Sequence, residues 1–256
     1  MLSIKEIDNF LNTFPMPKSE ILPFVSKIGG GWLDFDTAVE FCKGCGMPLM
    51  EVDGILHLKS SIETIDDTTF CFVDIETNGS NPRNAQVIEI GAVKYKNGIF
   101  AESFDKLIKT DYLPQNISEI TGITASDLKN GEREKDALTE FRNFLKDSVF
   151  CAHSVDFDFS FISHRMEQNG LFPLLNKRLC TFDLAKKTLK ATKYGLKTLK
   201  NELSLGDDIH HRALPDAKSS ALVFEAALKE IKQKFESVED LILFSKTKNL
   251  ETQSSF

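Results

Sequence analysis

Four acidic side chains and one histidine, spread over three short motifs, could do chemistry together. Asp74 and Glu76 lie in Phe72-Val73-Asp74-Ile75-Glu76-Thr77, and Asp158 lies in Ala152-His153-Ser154-Val155-Asp156-Phe157-Asp158. Asp216 closes His211-Arg212-Ala213-Leu214-Pro215-Asp216. Each acid sits in an apolar setting, where a lone ionised carboxylate is costly. Brought together, four carboxylates repel unless cations lie between them. Hard carboxylate oxygens are the ligands that Mg2+ and Mn2+ prefer, and a two-cation site acts on phosphodiesters. His211 supplies a base whose unperturbed pKa, about 6.5, suits proton transfer near neutrality.

Taken singly, each residue also has a plainer reading. Residues two apart on a strand share a face, so Asp74 and Glu76 project together while Val73 and Ile75 face packing. That pattern alone also fits an edge strand with a solvated acidic face. Asp158 and Asp216 each open a helix, where an acid favours the helix dipole. It is the three motifs in combination that carry the chemistry.

The elements that must position these residues follow from pattern. Phe70 to Glu76 reads as a strand, and Gln86 to Lys96 as a second. Asn97-Gly98 is a hairpin turn into Ile99 to Ile108. Leu138 to Leu145 is helical, and Val149 to His153 is a short buried strand feeding a helix from about Phe157 to Gln168. Asp183 to Leu189 and Leu196 to Leu203 are further helices. Pro215 suits the first turn of a long helix reaching about Phe235. Val238 to Ser245 is a last short helix, and the polar stretch after it reads as a loose tail.

Residues 1–61 read differently. Ile4 to Phe14 has helical spacing and is stopped by Pro15 and Pro17. Ser19 to Ile28 is a second helix, capped by Ser19 and ended by Gly29-Gly30-Gly31. Asp36 to Cys45 is a third, with Asp36 as N-cap. Pro48 to Leu58 is a hairpin turning at Asp53-Gly54. The expected organisation is a small helical, winged-helix-like module at 1–61, a linker at 62–69, an α/β domain at 70–237 and a C-terminal helix and tail at 238–256.

The chain has 256 residues, 41% hydrophobic and 27% charged, which is ordinary for a globular protein. Its formal net charge of −7 argues against tight duplex binding through phosphates, but not against metal-assisted work on a strand end. Five scattered cysteines fit a reducing compartment. The first residues lack a signal-peptide core, and no apolar stretch is long enough to span a bilayer, so a cytoplasmic protein without membrane contact is expected.

Residues 72–79, 152–161 and 211–217 resemble, in order, the three motifs of the DEDD exonuclease superfamily. The histidine five residues before Asp216 marks the DEDDh branch. Val87-Ile88-Glu89-Ile90-Gly91-Ala92-Val93 and Ile120-Thr121-Gly122-Ile123-Thr124 also resemble the epsilon-type proofreading subunits of bacterial DNA polymerase III. The similarity runs from about Phe70 to Lys232.

The resemblance implies an α/β, ribonuclease-H-like fold with a central mixed sheet, and metal-dependent 3′-to-5′ release of nucleoside monophosphates from single-stranded ends in proofreading or repair. Asp74, Glu76, Asp158 and Asp216 fall on the ligand positions for two divalent ions, Mg2+ or Mn2+, and His211 on the general-base position. His153 and Phe157 fall on positions that line the terminal nucleotide, and the Ile75, Thr77 and Thr121 segments border it. The partners implied are single-stranded 3′ ends, DNA favoured over RNA, and a replicative DNA polymerase catalytic subunit. Ser154 stands where many relatives have Asn, and Pro215 where an acid is common; neither removes a ligand. Two alternatives remain at this point: an exoribonuclease resembling ribonuclease T or an oligoribonuclease, and a non-catalytic scaffold of a polymerase complex.

Other signals are weaker. Cys42-Lys43-Gly44-Cys45 lacks two further ligands for zinc. Motif spacing selects His211 over its neighbour His210 as base. The run Lys186-Lys187, Lys190, Lys193, Lys197 and Lys200 reads equally as a solvated face or as a track for a single strand.

Overall fold

The computed structural model describes residues 3–29, 34–205, 211–229 and 231–247. His210, Gly30-Gly31 and most of the expected C-terminal tail lie outside the described residues.

The N-terminal part holds α1 (Ile4–Leu11), α2 (Leu22–Lys27) and α3 (Phe35–Gly44). Strand β1 (Met16–Pro17) pairs with β3 (Ile55–Leu58), which pairs in turn with β2 (Leu49–Val52), all antiparallel. The β2–β3 hairpin turns at Asp53-Gly54, both in positive φ, as the sequence pattern requires. Two helix starts differ from the sequence reading. Asp34, rather than Asp36, caps α3 by accepting the Thr37 N–H. Ser19 lies in a short 3-10 turn, Lys18–Glu20, and α2 begins only at Leu22, with Pro23 tolerated in its first turn. Cys42 and Cys45 sit in the module's core, and burial pushes their thiols up to about 12 and about 11. They pack as apolar groups.

The larger part is built on a mixed five-stranded sheet in the order β6-β5-β4-β7-β8. The strands are β4 (Phe70–Thr77), β5 (Val87–Lys96), β6 (Ile99–Leu107), β7 (Val149–Ala152) and β8 (Arg178–Cys180). Strands β4, β7 and β8 run parallel, while β5 and β6 are antiparallel additions joined by the Asn97-Gly98 turn. The helices are α4 (Gln115–Thr121), α5 (Ala125–Lys129), α6 (Glu134–Leu145), α7 (Val155–Gln168), α8 (Thr181–Thr188), α9 (Leu196–Glu202), α10 (Ala213–Leu228) and α11 (Val238–Lys246).

Alternation along β4 divides the core in two. Cys71, Val73 and Ile75 pack with α6 and α7, through Leu138, Phe141, Phe159 and Ile162. Phe70 and Phe72 face the opposite side and pack with α10 and α11, through Phe224, Leu241 and Ile242. By strand periodicity Asp74 and Glu76 continue this second face, so the face that carries the acids is the one α10 covers. Helix α11, set apart in the sequence reading, belongs to this core, and Ile65 from the 62–69 stretch is buried in it too. The N-terminal part is tied to the larger one by Leu175, which packs in its core and donates its N–H to the Cys45 carbonyl at 2.8 Å. An Arg178–Asp8 ion pair joins them further.

Candidate active site

The acids converge at the carboxyl ends of β4 and β7, the usual position for a site in a sheet with parallel strands. Asp74 and Glu76 come from the end of β4. Asp158 stands in the first turn of α7, immediately after β7, and Asp216 in the first turn of α10. Both helix acids are buried, at 5% and 9% exposure. Helix α7 starts at Val155, ahead of the expected Phe157, so Asp158 is its fourth residue.

One side chain oxygen each of Glu76 and Asp216 and a ring nitrogen of His211 lie within 4.8 Å of one another. His211 itself is exposed and takes a left-handed backbone, φ +59°. That turn brings its N–H within 2.9 Å of Asp216 Oδ2, to which it donates. The histidine is thereby held beside the carboxylates while its ring still reaches solvent.

The electrostatics of the cluster are adverse to a bare set of anions. Burial pushes the Asp74 carboxyl well above its ordinary range, and the charges of Asp158, Asp216, Glu76 and Glu89 add to the effect. Glu76 is pushed up to about 7 by burial and then by Glu89 and Asp216, against a weaker opposing pull from Arg212. Asp158 rises to about 8, mainly by burial, although its own N–H and that of Ile75 favour its ionised form. All-oxygen donors that resist ionisation without a counter-charge fit hard divalent cations. Asp74, Glu76, Asp158 and Asp216 are the residues that would hold them.

The supporting residues were less visible in the sequence. Glu89 is 1% exposed, faces Glu76 in the β4–β5 register, and takes a two-pronged bond from Arg212, Nε at 3.0 Å and the terminal nitrogen at 2.6 Å. It also accepts the Ala213 N–H at 2.9 Å, so it anchors the start of α10. Gly91 faces Asp74 in the same register, and a Cβ there would overlap the backbone of Ala213 and Leu214. The only sequence signal for these was the segment 87–93 itself.

The sequence-predicted substrate residues divide. Phe157 is 40% exposed beside Asp158, with the Phe161 ring 5.6 Å behind it. His153 is engaged through both ring nitrogens, Nε2 to the Tyr194 carbonyl at 2.8 Å and Nδ1 to Thr181 Oγ1 at 3.0 Å. Nε2 donates to the carbonyl, and burial lowers the ring's pKa, which favours the neutral form in which Nδ1 accepts from the Thr181 hydroxyl. Ile75 keeps its side chain in the core, so only its backbone borders the acids. Thr121 is buried at the end of α4, its hydroxyl donating to the Ile117 carbonyl and accepting the Ile123 N–H. Thr77, last in β4, remains partly exposed at the rim.

Comparison with known proteins agrees with this layout. A family model described as Exonuclease matches residues 71–224. The chain is 37% identical over 175 residues to DNA polymerase III PolC-type of Thermotoga maritima, covering 68% of this chain and 13% of that protein. It is 33% identical over 167 residues to DNA polymerase III subunit epsilon of Aquifex aeolicus, covering 64% of this chain and 83% of the relative. The chain thus spans about an eighth of the PolC-type relative, which is 13% of its length. Among solved structures, E. coli Exonuclease I in complex with a dT13 oligonucleotide superposes with TM-score 0.57 at 21% identity, covering 65% of this chain and 42% of that one. Exonuclease X in complex with 5′ overhanging duplex DNA gives 0.52 at 19%, covering 69% of this chain and 99% of that one. These likenesses establish the ribonuclease-H-like fold with its central mixed sheet flanked by helices.

Proposed function

The chain belongs to the exonuclease family, and from that premise we propose that it is a metal-dependent 3′-to-5′ exonuclease releasing nucleoside monophosphates from single-stranded DNA. The observation that carries the reading is the convergence of Glu76, His211 and Asp216 within 4.8 Å, beside carboxylates that burial and mutual repulsion hold above their ordinary pKa. Such a site suits neither a solvated acidic face nor a scaffold without chemistry.

Two Mg2+ or Mn2+ ions held by Asp74, Glu76, Asp158 and Asp216 would neutralise these anions and polarise the phosphoryl group. His211, exposed and next to the acids, takes the proton of the attacking water; such help is typically worth about 100- to 10,000-fold. Phe157 offers its ring to the terminal base, a contact that tolerates any sequence. His153, fixed at both nitrogens and kept toward its neutral form by burial, shapes the pocket wall and leaves proton transfer to His211.

DNA is favoured over RNA because the relatives named above are DNA polymerase III proteins. A replicative polymerase is the fitting partner for the same reason, and residues 1–61 are the available docking module. A reducing, cytoplasmic setting accords with cysteines that are all free, four of them buried. Among the described residues, no helix is long and apolar enough to cross a membrane.

The test is digestion of 5′-labelled single-stranded DNA and RNA of matched sequence, with Mg2+, with Mn2+ and with chelator. A metal-dependent ladder shortening from the 3′ end, faster on DNA, is expected. Faster loss of RNA would move the assignment to an exoribonuclease, and no cleavage of either would end the enzymatic reading.

A further inference from the structure

The chain carries a formal charge of −7, yet one segment of it gathers unneutralised cations. Lys186, Lys190, Lys193 and Lys197 are exposed, and among the described residues none of them forms an ion pair. Their neighbours in the same run are used elsewhere. Lys187 binds the carbonyls of Phe244 and Thr247, and Lys200 is buried at 5% exposure.

The segment is a built surface. It runs from the end of α8 through a turn into α9. Tyr194 Oη donates to the Leu189 carbonyl at 3.0 Å, and the Thr192 N–H donates to Glu202 at 3.0 Å. Leu199 is fully buried against Ala185 and Val223, with Leu189, Ala191, Tyr194 and Leu196 packed around them. A turn fixed in this way presents its lysines at little ordering cost on binding.

Two contacts attach this surface to His153, which stands five residues before Asp158. The Tyr194 carbonyl, one residue from Lys193, accepts from His153 Nε2 at 2.8 Å. The Phe182 ring meets the His153 ring edge-on at 5.6 Å and has Lys186 Nζ 5.4 Å above it. His153 itself feels the charge of Asp216. The lysine segment therefore adjoins the His153 wall of the pocket.

We propose that Lys186, Lys190, Lys193 and Lys197 form the track for the phosphodiester backbone of the substrate strand as it leaves the cleavage site. The inference rests on the exonuclease reading of that site. Lysine ammoniums act as point charges on phosphates, so the track adds affinity for length and reads no base. It also explains how an acidic protein holds a polyanion: repulsion elsewhere discourages binding, and this cationic segment selects the path.

The test uses the full-length protein with Lys190, Lys193 and Lys197 all changed to Gln, and a second version with all three changed to Arg. Binding of a fluorescent oligothymidylate is followed by anisotropy in chelator over a range of salt concentrations. Each lost phosphate contact removes about 0.7 from the log–log salt slope on a single strand. The Gln variant should therefore lose about 2 from that slope and bind about tenfold or more weakly at low salt, while the Arg variant keeps both. In parallel, the p-nitrophenyl ester of thymidine 5′-monophosphate, too small to reach the track, is hydrolysed with Mn2+. Its kcat/KM should be unchanged in the Gln variant. An unchanged salt slope, or an equal loss on the small ester and the long strand, overturns the track. If the wild-type protein leaves the ester and the oligonucleotide intact with Mn2+, the exonuclease reading fails instead, and the salt slope still decides whether these lysines bind a strand.

Discussion

The backbone of Leu214 lies so close to Gly91 that no side chain fits between them. Gly91 faces Asp74 across the β4–β5 ladder, so the absence of one Cβ lets the start of α10 descend onto the strand pair that carries the acids. The distance of Asp216 from Glu76 depends on that approach. Gly91→Ala must push the first turn of α10 outward, and such overpacking typically costs about 1–3 kcal/mol. We expect a lower Tm and a turnover loss of at least about 100-fold, because a misplacement of about 1 Å has that effect. A Gly91→Ala protein with wild-type turnover would show that α10 does not need this seat.

Much of this arrangement was legible in the sequence, and the exceptions have a common cause. Alternation in Val73-Asp74-Ile75-Glu76 gives the facing of both acids, because strand periodicity is local. The Asn97-Gly98 hairpin is likewise fixed by two residues that tolerate positive φ. The short strand β8 escaped notice because Lys177 and Arg178 read as surface residues. Both are buried, since Glu239 and Asp8, distant in sequence, neutralise them. Glu89 hid for the same reason, its partner Arg212 lying on another element. The start of α3 moved because Asp34 rather than Asp36 accepts the Thr37 N–H, and α2 and α7 begin without a side-chain cap, so no single residue marks where they start.

Asp74→Ala separates fold from function. Asp74 is the acid whose ionisation every neighbour opposes. Removing it relieves repulsion, so the chelated variant should melt at or above the wild-type temperature, while turnover falls to background. Retention of full activity would remove Asp74 from the ligand set.

The raised carboxyls also set the pH response. Glu76 near 7 and Asp158 near 8 bind protons more tightly in the folded protein than in the unfolded chain. Their favourable contribution is complete below the ordinary carboxylate range and is lost as pH rises through 7 and 8. Divalent cations take over the role of those protons. Added Mg2+ should therefore raise Tm more at about pH 8.5 than at about pH 5.5, by several degrees on a scale where about 1 kcal/mol moves Tm by about 2–4 °C. Thermal shift with and without chelator measures this, and an equal gain at both values would contradict it.

His211→Ala should lower kcat by about 100- to 10,000-fold with little change in KM, since an exposed base contributes to proton transfer more than to ground-state binding. If KM rises while kcat stays constant, His211 holds substrate and another group takes the proton.

The Glu89–Arg212 pair lends itself to a double-mutant cycle. Arg212→Met strands a carboxylate that is 1% exposed and leaves only the Ala213 N–H to satisfy it. Breaking a buried pair from one side costs about 3–5 kcal/mol, and because the Arg212 side chain is 41% exposed the cost here should fall to about 2–3 kcal/mol. Glu89→Gln in the same chain removes the stranded charge and relieves Asp74 and Glu76, both of which Glu89 opposes. The double variant should thus be more stable than Arg212→Met alone. Turnover should not recover with stability, because the guanidinium fork that ties Glu89 to the start of α10 is still missing. If stability and turnover return together in urea melts and digestion assays, the pair serves the fold alone.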